Sequence, residues 1–445
     1  MNRLLTVGFL SFAAASTALG APASSDVTLQ TINTTTNYGL VGAVRAYAYD
    51  SHTCNIGTVN LTWANGGTPA YAMNLFRIYD GRIQQIGLGF CKMACCAAAG
   101  SGCGTCNGVG GGQLGSGCKD VYSSGYNGGQ SRLASRSSIN GYTGLVSTYN
   151  TASGTAIFKR MQVNQSDIVT SAAGFPGARF FAEGVYTATD EVDGSEAQLN
   201  NATYRPAAID QTAFNMTVQG TAATGVAAIY AWRDHGLGLG VPDNTVNIQI
   251  VDVPDEGRFY VGQKVTPLAN GRYRYDYAIY NLNSHRSGGS FVVPVPNGVT
   301  LTGPSFSDVN YHSGEIYDNA DWVITTGSGR VTWSSPQTFA QNANSNALRW
   351  GTMYNYWFEA DSAPVTRTAG MGLFRPGFPA NLYFEVQAPA CRGDFNLDLN
   401  TDLFDYLDFV QAFSANQASS DFNHDGSINH FDYLDYVEAF NVACD

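Results

Sequence analysis

Two stretches of this chain place oxygen-bearing side chains at the spacing a hard divalent cation requires. Asp394, Asn396, Asp398, Asn400, Asp402 and Asp405 occupy positions 1, 3, 5, 7, 9 and 12 of one loop. Asp421, Asn423, Asp425, Ser427, Asn429 and Asp432 occupy the same positions of a second loop, 27 residues later. Calcium takes six to eight oxygens, from carboxylates, side-chain amides, the carbonyl at position 7 and often a water at position 9. Two Ca2+ sites are therefore expected. Position 6 calls for a sharp turn with positive φ; Gly426 meets that demand and Leu399 departs from it. The same apolar pattern follows each loop, Tyr406-Leu-Asp-Phe-Val-Gln-Ala-Phe413 and Tyr433-Leu-Asp-Tyr-Val-Glu-Ala-Phe440, so the repeat covers loop and helix together.

A second chemically distinctive stretch is the cluster Cys91, Cys95, Cys96, Cys103, Cys106 and Cys118, with Cys54 upstream. In an oxidising compartment these residues staple the glycine-rich loop at 100–117, and six of the seven can pair in fifteen ways, leaving one over. The alternative is a zinc or copper site on Cys103-Gly-Thr-Cys106 with Cys95 or Cys96, disfavoured because the spacing is not that of a standard finger. Glu183, Asp190, Glu191, Asp193 and Glu196 are the acids available for glycoside hydrolysis. That reaction needs two carboxyl groups opposed across a sugar, which spacing along a chain does not reveal, and a solvated loop or a further calcium site competes with it. No catalytic residue is assigned. Trp232-Arg-Asp234-His235 lacks a nucleophile elbow, and His312-Ser-Gly-Glu315 lacks the paired histidines of a zinc protease helix. Both are read as structural. The tryptophans Trp322, Trp333, Trp350 and Trp357 are expected in the core, although aromatic density leaves room for a sugar-stacking face.

The elements that carry these residues divide the chain. Residues 1–20 have the form of a signal peptide, with Arg3, an apolar run and small residues at Ala18 and Gly20, so the mature chain would begin at Ala21 and be secreted, with no membrane span after it. The last 55 residues hold eleven acids and one arginine, a net of −10 against −12 for the whole chain, so the remainder is nearly neutral. An acidic chain without basic clusters excludes nucleic acid as a partner. High glycine, tyrosine and phenylalanine content describes a mostly β protein. Residues 21–255 are expected as a β-rich domain with strands that include 61–63, 74–78, 179–187, 226–231 and 245–250. A boundary follows near 253–257. In 256–388, Tyr273, Tyr275, Tyr277 and Ile279 share one strand face opposite Arg272, Arg274 and Asp276. Further strands at 290–295, 322–326, 330–334, 347–351, 353–360 and 381–387 predict about seven short strands, an immunoglobulin-like sandwich. Ala388-Pro389-Ala390 reads as a linker to the small α-helical paired-loop module at 391–445.

The paired loops, with Asp at position 12, one helix after each and Cys391 and Cys444 as brackets, resemble a dockerin, most closely the GC-type dockerin-like modules. The body resembles the uncharacterised secreted proteins that such modules anchor, through Gln85-Ile-Gly87, Leu114-Gly-Ser-Gly-Cys118, Ala231-Trp-Arg-Asp234, Asn281-Leu-Asn-Ser-His-Arg286 and Leu348-Arg-Trp-Gly351. The resemblance implies Ca2+-dependent binding to a cohesin-like or cell-surface partner. It also implies a disulfide framework of Cys54, Cys103, Cys106 and Cys118, with Cys91, Cys95 and Cys96 peculiar to this chain. The body is then expected to act in adhesion, scaffolding or glycan binding. A polysaccharide-degrading hydrolase and a structural surface or filament protein are the alternatives.

Overall fold

The strand Tyr273–Asn281 sits between two cores because each of its faces carries apolar residues. In this computed structural model, which describes residues 24–192, 197–269 and 271–444, Tyr275, Tyr277 and Ile279 enter one core while Ala278 and Tyr280 enter another. Successive side chains of a strand alternate faces, so one strand can serve two layers. The first of those layers is a sandwich. Asn247–Val253, Gly257–Pro267, Tyr273–Asn281, Thr352–Ala360 and Leu301–Ser307 form one antiparallel five-stranded sheet. Val323–Gly327, Arg330–Ser334, Gly288–Pro294, Pro364–Leu373 and Asn381–Pro389 form the other. Aromatic rings fill the space between the sheets, with Phe291 stacked on Trp333 at 5.7 Å and Tyr275 on Phe358 at 5.1 Å. The sandwich has ten strands rather than about seven.

Three sequence expectations are corrected in this half. The turn at 253–257 is the hairpin between two strands of one sheet, so Asn247–Val253 belongs to the sandwich and does not close the region before it. Residues 347–351 form a turn with one isolated bridge, Leu348 to Gly288, because Asn281 Nδ2 donates to Leu348 O at 3.0 Å and folds the segment back. The expected linker is buried: Asn381–Pro389 is a strand to its end, and Ala388 and Ala390 are almost wholly inaccessible.

The N-terminal half is a ten-stranded antiparallel sheet. Its main path runs through Ala202–Ile209, Arg179–Thr187, Ala70–Tyr79, Arg82–Leu88, Met161–Asn164 and Val44–Tyr49, and a three-stranded sheet lies beside it. The expected strand at 226–231 is a 3-10 turn, Ala228–Tyr230, leading into a short helix, Ala231–Asp234. Its alanine-rich sequence lacks the β-branched alternation of a strand, and the helical turn brings Trp232 Nε1 within 2.7 Å of Gly81 O.

The face of Tyr273–Asn281 that carries Arg274 and Asp276 meets the N-terminal half. Asp276 pairs with Arg82 at 3.0 Å and accepts from Arg274 at 2.8 Å, and Arg274 also reaches Asp80 at 2.8 Å. Around these ions a single apolar cluster joins Phe76, Phe181 and Trp232 to Tyr260, Tyr280, Trp350 and Met353. The two β regions are therefore packed as one body. Among the described residues no helix is long and apolar enough to cross a membrane. The leader at 1–20, with the cleavage point at Ala21, lies outside the described residues, as do Asp193 and Glu196.

Candidate functional site

The C-terminal module begins with the way each loop closes on itself. In the first, Asp394 accepts the N–H groups of Asp398 at 3.0 Å and Leu399 at 2.9 Å. In the second, Asp421 accepts those of Asp425 at 3.1 Å and Gly426 at 3.0 Å. Asn396 and Asn423 each accept from position 5, at 3.0 and 3.1 Å, and Asp398 and Asp425 each accept from position 7, at 2.9 and 2.8 Å. Position 12 binds position 3 and position 9 in both copies: Asp405 accepts from Asn396 at 3.1 Å and Asp402 at 2.8 Å, and Asp432 from Asn423 at 3.2 Å and Asn429 at 2.8 Å. These bonds recur in both loops, and the second adds one from Phe422 N to Asp432 at 2.7 Å. Leu399 adopts φ +75° and Gly426 φ +85°, so leucine takes the left-handed turn that glycine takes in the second copy. For an L-residue that conformation costs about 1–2 kcal/mol.

Position 9 has a second role. Asp402 and Asn429 are the N-caps of the helices Leu403–Ser414 and His430–Phe440, and Asp405 and Asp432 complete a capping box in each. One carboxylate therefore closes the loop and starts the helix. The helices pack about a pseudo-two-fold axis, as their shared contacts show. Phe409 stacks on Tyr436 at 3.9 Å, and the hydroxyls of Tyr406 and Tyr433 meet at 2.8 Å. Each pair consists of residues 27 apart, and equivalent positions touch each other only where they flank a two-fold axis. Cys391 and Cys444 form a disulfide across the module ends.

The donor set suits a hard cation, since every side chain at positions 1, 3, 5 and 12 offers oxygen. Asp394 has its carboxyl pushed up, first by burial and then by the charges of Asp405 and Asp398, which face it. The side chains nonetheless point to the N–H groups of their own loops. Among the described residues no group of three or more His, Cys, Asp or Glu side chains is gathered closely enough to hold a metal ion. Asn400 and Ser427, at position 7, would contribute only backbone carbonyls.

The module also carries a duplicated apolar surface. Phe404 and Leu407 on the first helix are more than half exposed, and Phe431 and Leu434 occupy the equivalent places on the second. Away from this surface the module rests on the sandwich. The His424 ring lies against Gly271, where a Cβ would collide with it, and Arg392 pairs with Asp361 at 3.5 Å.

In the body, Glu183, Asp190 and Glu191, the described acids among those singled out for hydrolysis, hold structural positions. Glu183 is wholly buried between the two β regions and accepts from Ala228 N at 2.7 Å, Asn74 Nδ2 at 2.8 Å and the Tyr280 hydroxyl at 2.9 Å. Asn74 in turn accepts from the buried Arg136 at 2.8 Å. Burial raises the Glu183 carboxyl. Glu191 is also wholly buried, accepting from Val27 N and Asn201 Nδ2, each at 2.6 Å, and burial pushes its carboxyl up to about 8. Asp190 accepts from Thr62 N at 2.7 Å. None of these three opposes another across open space. Asp234 and His235 are turned to different partners, Tyr204 and Gly240 N. Sequence spacing could not show that Glu183 and Glu191 fix the core, because their partners lie far away along the chain.

A cavity of about 350 Å3 opens where the loop at 307–312 meets the N-terminal sheet, lined by Arg77, Gln84, Gln162, Asn164, Asp167 and Asp308 among others. Burial raises the Asp308 carboxyl to about 6. Asp167 pairs with Arg77 at 3.4 Å, while His312 hydrogen-bonds Leu88 O at 2.6 Å and Ser313 Oγ at 2.9 Å, which occupies both ring nitrogens. Amides and ions dominate the wall. Trp322, Trp333 and Trp350 are core residues, and Trp357 is half-buried beneath Arg82, so no exposed indole platform results. Exposed rings are found instead at Phe378 and Tyr383.

Cys54 is bonded to Cys103, and Cys106 to Cys118. This is the framework that the resemblance implied, and it removes Cys103 and Cys106 from any zinc or copper site. Cys91, Cys95 and Cys96 remain thiols.

No family model matches this chain, and no curated protein matches it. Among solved structures, a serine-rich repeat adhesion glycoprotein from Streptococcus agalactiae is similar over 83% of this chain and 99% of that one, at 8% identity. The TM-score of that match is 0.20, too low to carry an argument about fold or function.

Proposed function

We propose that this protein works outside the cell as a β-rich body tethered by its C-terminal module, which takes up two Ca2+ ions and docks onto a cohesin-like partner. The duplicated exposed surface of Phe404, Leu407, Phe431 and Leu434, set on helices that start from matching loops, carries this reading. Exposed leucine and phenylalanine at equivalent places on two helices make an apolar patch that water disfavours and a partner covers. Asp394, Asn396, Asp398 and Asp405, with the Asn400 carbonyl and a water at Asp402, hold the first ion. Asp421, Asn423, Asp425 and Asp432, with the Ser427 carbonyl and a water at Asn429, hold the second. Bound calcium neutralises the facing carboxylates, and the loops then hold the helices at fixed spacing. Three disulfides support an oxidising, extracellular location.

The body serves adhesion or glycan binding rather than hydrolysis. The burial of Glu183 and Glu191 supports this, as does the polar cavity beside Arg77 and Asp308, whose amides and charges suit a hydroxyl-rich ligand. The test immobilises the full chain and measures capture of a cohesin domain with Ca2+ and with chelator, alongside depletion by insoluble polysaccharides and assay of released sugar. Capture lost in chelator, and reduced at least ten-fold by Leu407→Asp with Leu434→Asp, is the expected result. Capture indifferent to both would sink the tethering reading, and released sugar would sink the non-catalytic one.

A further inference from the structure

Cys95 and Cys96 are left over once the structural disulfides are counted, and their surroundings differ from those of the third thiol. Cys91 is wholly buried, and burial pushes its thiol up to about 11, so it is inert. Cys95 is partly exposed and Cys96 fully so, with their sulfurs 3.5 Å apart. The backbone of Cys96 is held on both sides by one side chain: the Tyr122 hydroxyl donates to Cys96 O and accepts from Cys96 N at 3.2 Å. Tyr122 stacks on Tyr126 at 5.0 Å with the rings 7° apart, Lys92 Nζ lies 3.4 Å from the Tyr122 ring, and Arg132 sits 5.2 Å from that of Tyr126. An aromatic shelf flanked by Arg132 and by the buried Lys92, which burial pushes down to about 7, thus presents a pair of adjacent thiols to solvent.

We infer that Cys95 and Cys96 form a redox-active vicinal pair that exchanges electrons with small-molecule disulfides at the protein surface. Cys95 is the attacking sulfur. Its thiol is held below the usual range by a hydrogen bond from Tyr126, helped by Cys96 and by the charges of Arg132 and Lys92, while Cys96 is raised by its neighbour. The Cys95 thiolate attacks one sulfur of an external disulfide, breaking its S–S bond and releasing one thiolate, which takes up the proton that Cys95 gave to solvent. Cys96 then loses its proton and attacks the Cys95 sulfur, closing the Cys95–Cys96 bond and releasing the second thiolate. Two thiols are oxidised, one external disulfide is reduced to two thiols, and no other reactant is needed.

The closed form would also be a strained disulfide. Adjacent Cα atoms are about 3.8 Å apart across a trans peptide. Disulfides ordinarily span about 4.4–6.8 Å, and deviation stores strain that makes the bond easier to reduce. The other three pairs have Cα separations of 5.6, 4.3 and 5.7 Å, at or close to the ordinary span. The vicinal bond should therefore open and close at potentials where the remaining three stay shut.

The test equilibrates the full chain in mixtures of reduced and oxidised glutathione, quenches with an alkylating reagent and weighs the peptide that carries both cysteines. The expected result is joint loss of two alkylatable thiols, with loss of two hydrogens and no retained glutathione, while the other disulfides are unchanged. Cys96→Ser should trap one glutathione on Cys95, and Cys95→Ser should slow capture. Two thiols that stay alkylatable at every ratio would overturn the inference, as would a Cys96→Ser chain that retains no glutathione.

Discussion

The loop acids of the C-terminal module and two buried glutamates of the body, Glu183 and Glu191, obey opposite rules. In the module, each carboxylate binds backbone N–H groups of its own loop, and a second copy 27 residues later does the same. In the body, Glu183 and Glu191 bind groups that are distant in sequence, such as Tyr280 and Val27, and neither touches water. The carboxylates of each loop share one small pocket of backbone N–H groups whose rim, at Asp398, Asp402 and Asp425, is exposed, while Asp394, Asp405 and Asp432 are covered by the loops they close. A carboxylate sealed in a core has no such rim; its ionised form has lost hydration and its partners are fixed. In the body, Glu183 ties the two β regions together and Glu191 ties segments within the N-terminal half.

This contrast can be tested from both sides. The largest expected effect is on the module. Saturating Ca2+ should stabilise it by about 4 kcal/mol per site at a thousand-fold excess over Kd. Scanning calorimetry of the full chain with Ca2+ and with chelator reads this as a shift in the module's transition alone. An unchanged trace, or an equal shift in the body's transition, would break the comparison. Next comes Glu183→Ala, which strands the donors of Ala228, Asn74 and Tyr280 in a dry core and should cost roughly 3–5 kcal/mol. Chemical denaturation of the body measures it, and a loss below about 1 kcal/mol would remove the structural role assigned here.

Glu191 gives a pH signature. Its carboxyl is raised in the folded state, to about 8. Its contribution is therefore fully present below the unfolded value near 4.3 and is lost as pH climbs through 8. Asn201 Oδ1 has no hydrogen-bond partner among the described residues, so an amide flip lets it accept from a neutral donor at this position. Glu191→Gln should then fold normally and gain on the order of 2 kcal/mol at pH 9 relative to the parent, with no gain at pH 4. Parallel melting profiles that keep the same alkaline fall would refute the buried, protonated carboxyl. The smallest effect is Leu399→Gly, which relieves a positive φ and should add about 1 kcal/mol to the module while bringing the first loop into line with the second. Titration calorimetry resolves whether the first Ca2+ site then matches the second.

Sequence pattern was enough wherever the interaction is local. The duplicated loops, the helices after them and the alternation of Tyr275, Tyr277 and Ile279 all follow from spacing of a few residues, and each element formed where its pattern lies. Residues 27 apart also meet across the module, as in the Phe409–Tyr436 stack. The role of Leu399 was not legible, because the positive φ at position 6 is imposed by the closed loop whatever the residue there.

Partnership across long separations was decided only by the tertiary structure. The stretch 347–351 has a strand's composition, yet Asn281 folds it into a turn. Asp276 sits on what reads as a polar face, yet Arg82 and Arg274 cover it. Trp232 follows an apolar run, yet a carbonyl at Gly81 draws it into a helical turn. A side chain's period tells which face of its own element it occupies. What that face meets depends on segments up to hundreds of residues away, and only the packed chain brings them together.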